Sequence, residues 1–328
     1  MFRKVLDGEM RDATKHGIDL KTKKEERSEI SVNLYLLFVL FFNDITDVVK
    51  NSEIIKYADD TVIYVADKDI ESINRKLTED MNCMGDWLDE NDLILNLKKG
   101  KTEALLFGTS QRIKRSEGSL NIGYKNTTVT VTNEYKYLGV LLDATLNLNS
   151  HFDKCYKKAT SRLRLLRKLR FYLDVNASKA IYNTMILPTL TYCGILLLKL
   201  TRTQTSKLED FHQRAKHTIS KSTDERVEIT APYAANKRRA CTLVAQTLNG
   251  EICEPFESYF TIQQHEKNTR NNCTNILIPS FKTEYARKGF QYMAAHTFNQ
   301  LPIDIRKSVN LSSYNGLISN YFRCNAEI

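Results

Sequence analysis

Between 69 and 88 the apolar residues Ile70, Ile73, Leu77, Met81, Met84 and Leu88 recur at intervals of three and four. That spacing puts them on one face of an amphipathic helix, with Asp67 or Asp69 placed to cap its start. Just upstream the period shortens. Glu53-Ile54-Ile55-Lys56 and Thr61-Val62-Ile63-Tyr64-Val65 are β-prone and are separated by Tyr57-Ala58-Asp59-Asp60. Strand, short acidic turn and strand predict a hairpin with carboxylates at its tip. Residues 31–50 run from apolar to polar and read as a helix. Beyond the amphipathic helix, β-branched and aromatic residues mark short strands at 93–97, 104–107, 120–124, 127–131 and 135–142. A helix laid across one face of an antiparallel sheet is an α+β layer.

After Asp143 the pattern turns helical. A first helix is expected over 151–172. A second, capped by Asn176, carries Pro188 and is expected to kink there. A third covers 205–220, with Leu208, Phe211, Ala215 and Ile219 on one face. Residues 223–328 are less regular, with helices predicted near 233–248, 289–299 and 312–322. Residues 1–30 are charged and show no period. The chain therefore divides into a divergent 1–30, an α+β region over 31–143, a helical region over 144–222 and a C-terminal region over 223–328.

The chain has 328 residues, enough for two or three domains, and its 42% hydrophobic and 27% charged content is ordinary for a globular protein. Its net charge of +9 suits a polyanionic partner without naming one. Seven widely spaced cysteines with no Cys-x-x-Cys pair give little support to a zinc site and fit reduced thiols inside a cell, in nucleus or cytoplasm. No secretory signal is visible at the polar N-terminus, and the longest apolar run, 34–42, is too short to span a bilayer. It reads instead as a buried helix under the sheet, and no membrane association is expected.

Two features carry candidate chemistry. Asp59 and Asp60, held at a hairpin tip, can collect hard divalent cations such as Mg²⁺. Two such ions can activate an attacking oxygen and stabilise a leaving one at phosphorus. A short acidic turn is equally what a plain surface hairpin would carry. The second feature is a run of Lys154, Lys157, Lys158, Arg162, Arg164, Arg167, Lys168 and Arg170 with no acid over 154–170. With Leu163, Leu166 and Leu169 turned to the core, its basic groups suit salt-sensitive phosphate contacts, or form a solvated face.

The order of motifs resembles one family. Tyr57-Ala58-Asp59-Asp60 is followed by Leu95-Asn96-Leu97-Lys98-Lys99-Gly100-Lys101-Thr102-Glu103 and by Tyr137-Leu138-Gly139-Val140-Leu141-Leu142-Asp143. Upstream stands Leu36-Leu37-Phe38-Val39-Leu40-Phe41-Phe42-Asn43-Asp44-Ile45. Downstream come Ile186-Leu187-Pro188-Thr189-Leu190-Thr191-Tyr192-Cys193-Gly194 and Phe298-Asn299-Gln300-Leu301-Pro302. At about these spacings, over roughly 31–323, they resemble the reverse transcriptase of LINE-type (jockey-like) non-LTR retrotransposons. The resemblance implies a partial palm over 31–143, a thumb-like region over 144–222 and a tail. It implies RNA-directed DNA synthesis with Mg²⁺ on an RNA template and a DNA primer. Asp59 and Asp60 would be catalytic metal ligands. Lys101 would neutralise the departing pyrophosphate. Tyr137, Leu138 and Gly139 would grip the primer backbone, and the basic helix, from Lys154 to Lys168, would line the nucleic acid. Ala58 leaves room beside the turn, and Tyr57 is expected to pack beneath it.

The chain also departs from the family. Reverse transcriptases need a third carboxylate from an earlier palm strand, but only 58 residues precede Asp59, and Asp7, Asp12 and Asp19 lie in no strand-like context. Where the family has Pro-Gln-Gly, this chain has Ser28, Glu29 and Ile30. The expectation is a reverse transcriptase fragment inactive on its own, with an exposed palm surface that favours self-association. The alternatives are a non-catalytic nucleic-acid-binding module, or a decayed remnant without function.

Overall fold

The computed structural model describes residues 39–116, 118–220, 227–252, 256–263, 275–284, 286–309 and 313–324. They fall into two compact units, one ending at Asn147 and the other starting at Leu148. The fold is α+β, mixed helix and strand with small sheets. Among the described residues no helix is long and apolar enough to cross a membrane.

In the first unit, β1 (Glu53–Tyr57) and β2 (Asp60–Tyr64) pair antiparallel, Glu53 opposite Tyr64 and Tyr57 opposite Asp60. The amphipathic helix is α1 (Ile70–Glu90), and its cap is Asp69, which accepts the Ser72 N–H at 3.0 Å. Its apolar face joins two clusters. Met84 and Leu88 close over Ile45, with Phe42, Ile54 and Trp87 around them. Met81 meets Ala104, Ile122, Tyr124 and Val129. Trp87 lies 5.9 Å from the Phe41 ring and 5.8 Å from that of Phe42.

The remaining strands are shorter than expected. β3 (Glu103–Ala104) pairs in parallel with β6 (Thr130–Val131), and β4 (Gly123–Tyr124) pairs antiparallel with β5 (Thr127–Thr128). A short helix α2 (Ser110–Arg115) intervenes, and β7 (Glu134–Tyr137) forms a second hairpin with β8 (Val140–Asp143). The single antiparallel sheet inferred from sequence is instead four separate two-stranded ladders. Residues 93–97 form no strand. Leu93, Leu95 and Leu97 turn inward and Ile94 and Asn96 outward, so the segment keeps strand alternation without a ladder. Polar side chains of α1 take the place of a neighbouring strand for the segment around β4. Asn74, Thr78 and Asn82, one turn apart, accept the N–H groups of Asn121, Gly123 and Lys125 at 3.0, 3.0 and 2.7 Å.

The helix expected over 31–50 is only partly within the described residues, where 39–41 are helical and Asp44–Thr46 is a 3₁₀ turn. Burial of that apolar run is not uniform, since Val39 and Leu40 are exposed.

The second unit is helical. Its elements begin with α3 (Asn149–Leu169), α4 (Val175–Ile181), α5 (Leu187–Thr191), α6 (Arg202–Ile219) and α7 (Pro232–Leu248). α8 (Phe290–Asn299), α9 (Ile303–Lys307) and α10 (Tyr314–Cys324) follow. Asp174, not Asn176, caps α4, accepting the Ala177 N–H at 2.6 Å. The break expected at Pro188 is a π-helical turn, Tyr182–Ile186, closed by Leu187 N–H on the Tyr182 carbonyl. Pro188 has no N–H to extend an α-helical ladder, so the widened turn falls where that ladder is already weak. A capping box at Thr201 and Gln204 starts α6, ahead of the expected Thr205.

The apolar face of α6, Leu208, Phe211, Ala215 and Ile219, is buried. α7 is central. It packs on α5 and α6 from the preceding region and on α8 and α10 from the C-terminal one, around Ala240, Val244, Ala294, Phe298 and Ile318. The Phe298–Pro302 motif has a structural role here. Phe298 and Leu301 are buried, and Asn299 holds both the N–H and the carbonyl of Ile276 at 2.9 Å.

Candidate acidic hairpin and nucleic-acid interface

The acidic hairpin is fixed from below. The buried carboxylate of Asp80 on α1 accepts the Lys50 N–H at 3.1 Å and the Asn51 N–H with both oxygens, at 3.2 and 3.0 Å. The Asn51 side chain adds a bond to Asp80 at 3.1 Å. The Lys56 ammonium donates to the carbonyls of Phe42 and Asn43 and to Asn43 Oδ1. These contacts fasten the strand leading to the acids onto the Asn43-Asp44 segment.

At the tip, Ala58 takes the left-handed conformation at φ +54°, one of the positive angles that tight hairpins require. Asp59 and Asp60 are exposed. Tyr57, expected beneath the turn, is 65% exposed, because its alternate position on β1 points to the open face.

The second hairpin turns through Leu138 and Gly139, both left-handed at φ +44° and +85°, the pair of positive angles a type I′ turn needs. Its tyrosines lie in the field of the first hairpin. Burial pushes the phenols of Tyr135 and Tyr137 up, and the Asp60 charge pushes them further. Tyr135 Oη donates to the Lys101 carbonyl at 2.8 Å, so the loop of the Lys101 motif is tied to this hairpin. The Tyr137 hydroxyl and Thr61 Oγ1 are buried without a hydrogen-bond partner. The structure thus brings Asp60, Tyr137 and the Lys101 backbone into one neighbourhood, while the Lys101 side chain is exposed.

Among the described residues, no three His, Cys, Asp or Glu side chains come together as a metal-holding group. Among those residues, Asp59 and Asp60 supply two exposed carboxylates to this neighbourhood without a third, fewer than a two-ion centre takes.

In the second unit, α3 is sharply two-sided. His151, Phe152, Ala159, Leu163 and Leu166 are buried. Lys154, Lys157, Lys158, Arg164, Arg167 and Lys168 are exposed. Positions 154, 157, 158, 161, 164, 165 and 168 follow helical spacing, so the cations other than Arg167 make one stripe. From 154 to 168 it runs about 21 Å, at about 1.5 Å per residue. Two expectations fail. Leu169, the last residue of α3, is 41% exposed. Arg162 turns inward: its guanidinium donates to the Met185 carbonyl and to Thr189 Oγ1, clamping the π turn. It is a structural cation, not part of the stripe. An open depression beside it is lined by Ser161, Arg162, Arg164, Leu165 and Lys168.

The sequence reading missed Asp80, the Asn74–Thr78–Asn82 ladder and the aromatic pair Phe171 and Tyr172 that follows the basic run. The spacing of Asn74, Thr78 and Asn82 by four was a visible signal. The contacts of Asp80, made with residues about thirty positions away, were not.

No protein-family model matches the chain, and neither a curated protein nor a solved structure is significantly similar to it.

Proposed function

We propose that this chain is a nucleic-acid-binding relative of LINE-type reverse transcriptases, holding RNA or DNA through the cationic stripe of α3 and not extending a primer by itself. The observation that carries the proposal is the stripe. Five exposed cations, with no acid between 154 and 170, stand on a helix whose apolar face is already committed to the core. Such an array releases counterions when phosphates bind, giving affinity with little sequence preference and a steep dependence on salt. The motif order supports the lineage.

The test is a titration of labelled RNA at several salt concentrations. Reversal of Arg164 and Lys168 to Glu is expected to weaken binding and flatten its salt dependence. The same reversal at Lys21 and Lys24 is the control. Equal losses from both pairs would reduce the effect to net charge, and no loss from either would leave α3 a solvated face.

One observation favours a polymerase reading: Asp60 lies close to Tyr137 and to the loop of Lys101, as catalytic and primer-gripping parts would. Under that reading the chain extends a DNA primer on an RNA template when Mg²⁺ or Mn²⁺ is added. Extension abolished by Asp59→Asn would establish it. We expect no extension.

A further inference from the structure

We infer that the end of α3 and the turn after it form a stacking platform for unpaired nucleobases, with Phe171 and Tyr172 as its rings. The inference rests on the proposed nucleic-acid grip and names its substrate as single-stranded.

Phe171 is 77% and Tyr172 86% exposed, on a turn closed by Tyr172 N–H donating to the Leu169 carbonyl at 2.9 Å. Large aromatic side chains ordinarily give up most of their surface on folding, and two adjacent rings left open call for an occupant. The Arg170 guanidinium lies 4.9 Å from the Phe171 centroid, covering one face of that ring and placing positive charge against it. The cations of α3 lead directly to this turn. Macrodipole stabilisation accounts for Arg167 and Lys168 in the last helical turn. It accounts for neither Arg164 nor the open rings.

Phosphates along Lys158, Arg164 and Lys168 would deliver successive bases to Phe171 and Tyr172. In a duplex the base faces are stacked on one another and closed to a side chain, so the rings select an unpaired strand. An anionic membrane is the poorer match. A helix lying on a membrane inserts its apolar face, whereas Phe152, Ala159, Leu163 and Leu166 of α3 are buried in the protein.

The test measures binding of labelled oligouridylate and of an RNA duplex of equal length to the full chain by fluorescence anisotropy. The double variant F171A/Y172A is expected to lose about tenfold or more in single-strand affinity and less than about twofold on duplex. Its salt dependence should be unchanged, because no phosphate contact is removed. Phe171→Tyr keeps a ring and is expected to keep affinity. Circular dichroism of each variant checks the fold. Equal losses on single strand and duplex would overturn the platform, as would wild-type binding by the double variant. If Arg164→Glu still weakens binding in that last case, the α3 grip stands without the platform. If the wild type binds neither RNA, both fail. Loss confined to phosphatidylserine vesicles would assign the rings to a membrane and overturn the inference.

Discussion

Asn236, fully buried on α7, presses its side-chain amide against Gly194 so closely that a β-carbon at 194 would overlap it. Gly194–Leu197 is the 3₁₀ turn after α5, so the pair joins that turn to the central helix. Gly194→Ala is expected to destabilise the second unit by about 3 kcal/mol, the upper range for overpacking a core. Asn236→Ala in the same chain should restore part of that loss, because it removes the colliding amide together with an Oδ1 that has no partner. Urea unfolding of both single variants and the double gives the coupling. Additive effects would refute it.

Asp80→Ala strips the acceptor from two backbone N–H groups at the foot of the acidic hairpin. A cost of about 1 kcal/mol follows from losing these part-buried bonds to a buried carboxylate. The chain has one tryptophan, Trp87, in the same unit. Its fluorescence should report a lowered midpoint, and an unchanged midpoint would show the bonds to be dispensable.

Arg162 and Arg164 are two residues apart on one helix and should behave oppositely. Arg162→Met removes a charge-assisted pair of hydrogen bonds at the π turn, a loss of about 1.5 kcal/mol or more in stability. Arg164→Met should leave stability within about 0.5 kcal/mol, as surface changes do, and weaken RNA binding. Thermal melts paired with titrations decide between this pattern and its reverse.

His212 on α6 is buried with both ring nitrogens unpartnered, and burial, with Lys216 adding to it, pushes its pKa down to about 4. The unfolded chain takes up this proton near pH 6.5, the folded one only near pH 4, so between them the unfolded state binds more protons. The contribution is complete above about pH 6.5 and is lost as pH falls, by at most about 3 kcal/mol. His212→Leu should flatten that part of the stability–pH curve. Burial also lowers the His151 pKa, so a smaller slope should persist. An unaltered curve would show that His212 is not the group responsible.

The sequence was most legible where periodicity and burial coincide. α1, the buried face of α6 and the acidic tip all follow from local spacing, while the choice of Asp69 over Asp67 as the cap of α1 needed the backbone. The sheet did not. Residues 93–97 alternate as a strand should, but a ladder needs a partner and periodicity is silent about partners. Asp174 and Asn176 both make acceptable caps, and only backbone geometry separates them. Arg162 reads like its neighbours until the π turn supplies two acceptors for it. The cationic stripe was visible as composition, and the aromatic pair beside it stood out only once exposure was known.

Ser178, Tyr182, Ile186 and Leu190 are all buried and are spaced by four. In an unbroken α-helix each such step overshoots a full revolution by about 40°, so a seam of fours spirals away from whatever it packs against. The widened turn at Tyr182–Ile186 rotates the chain less per residue and cancels part of that drift. The π turn therefore acts as a phase corrector. Straightening that turn without removing a residue would swing Leu190 out of the core by about 100°, whereas deleting one residue as well would keep it on the same face.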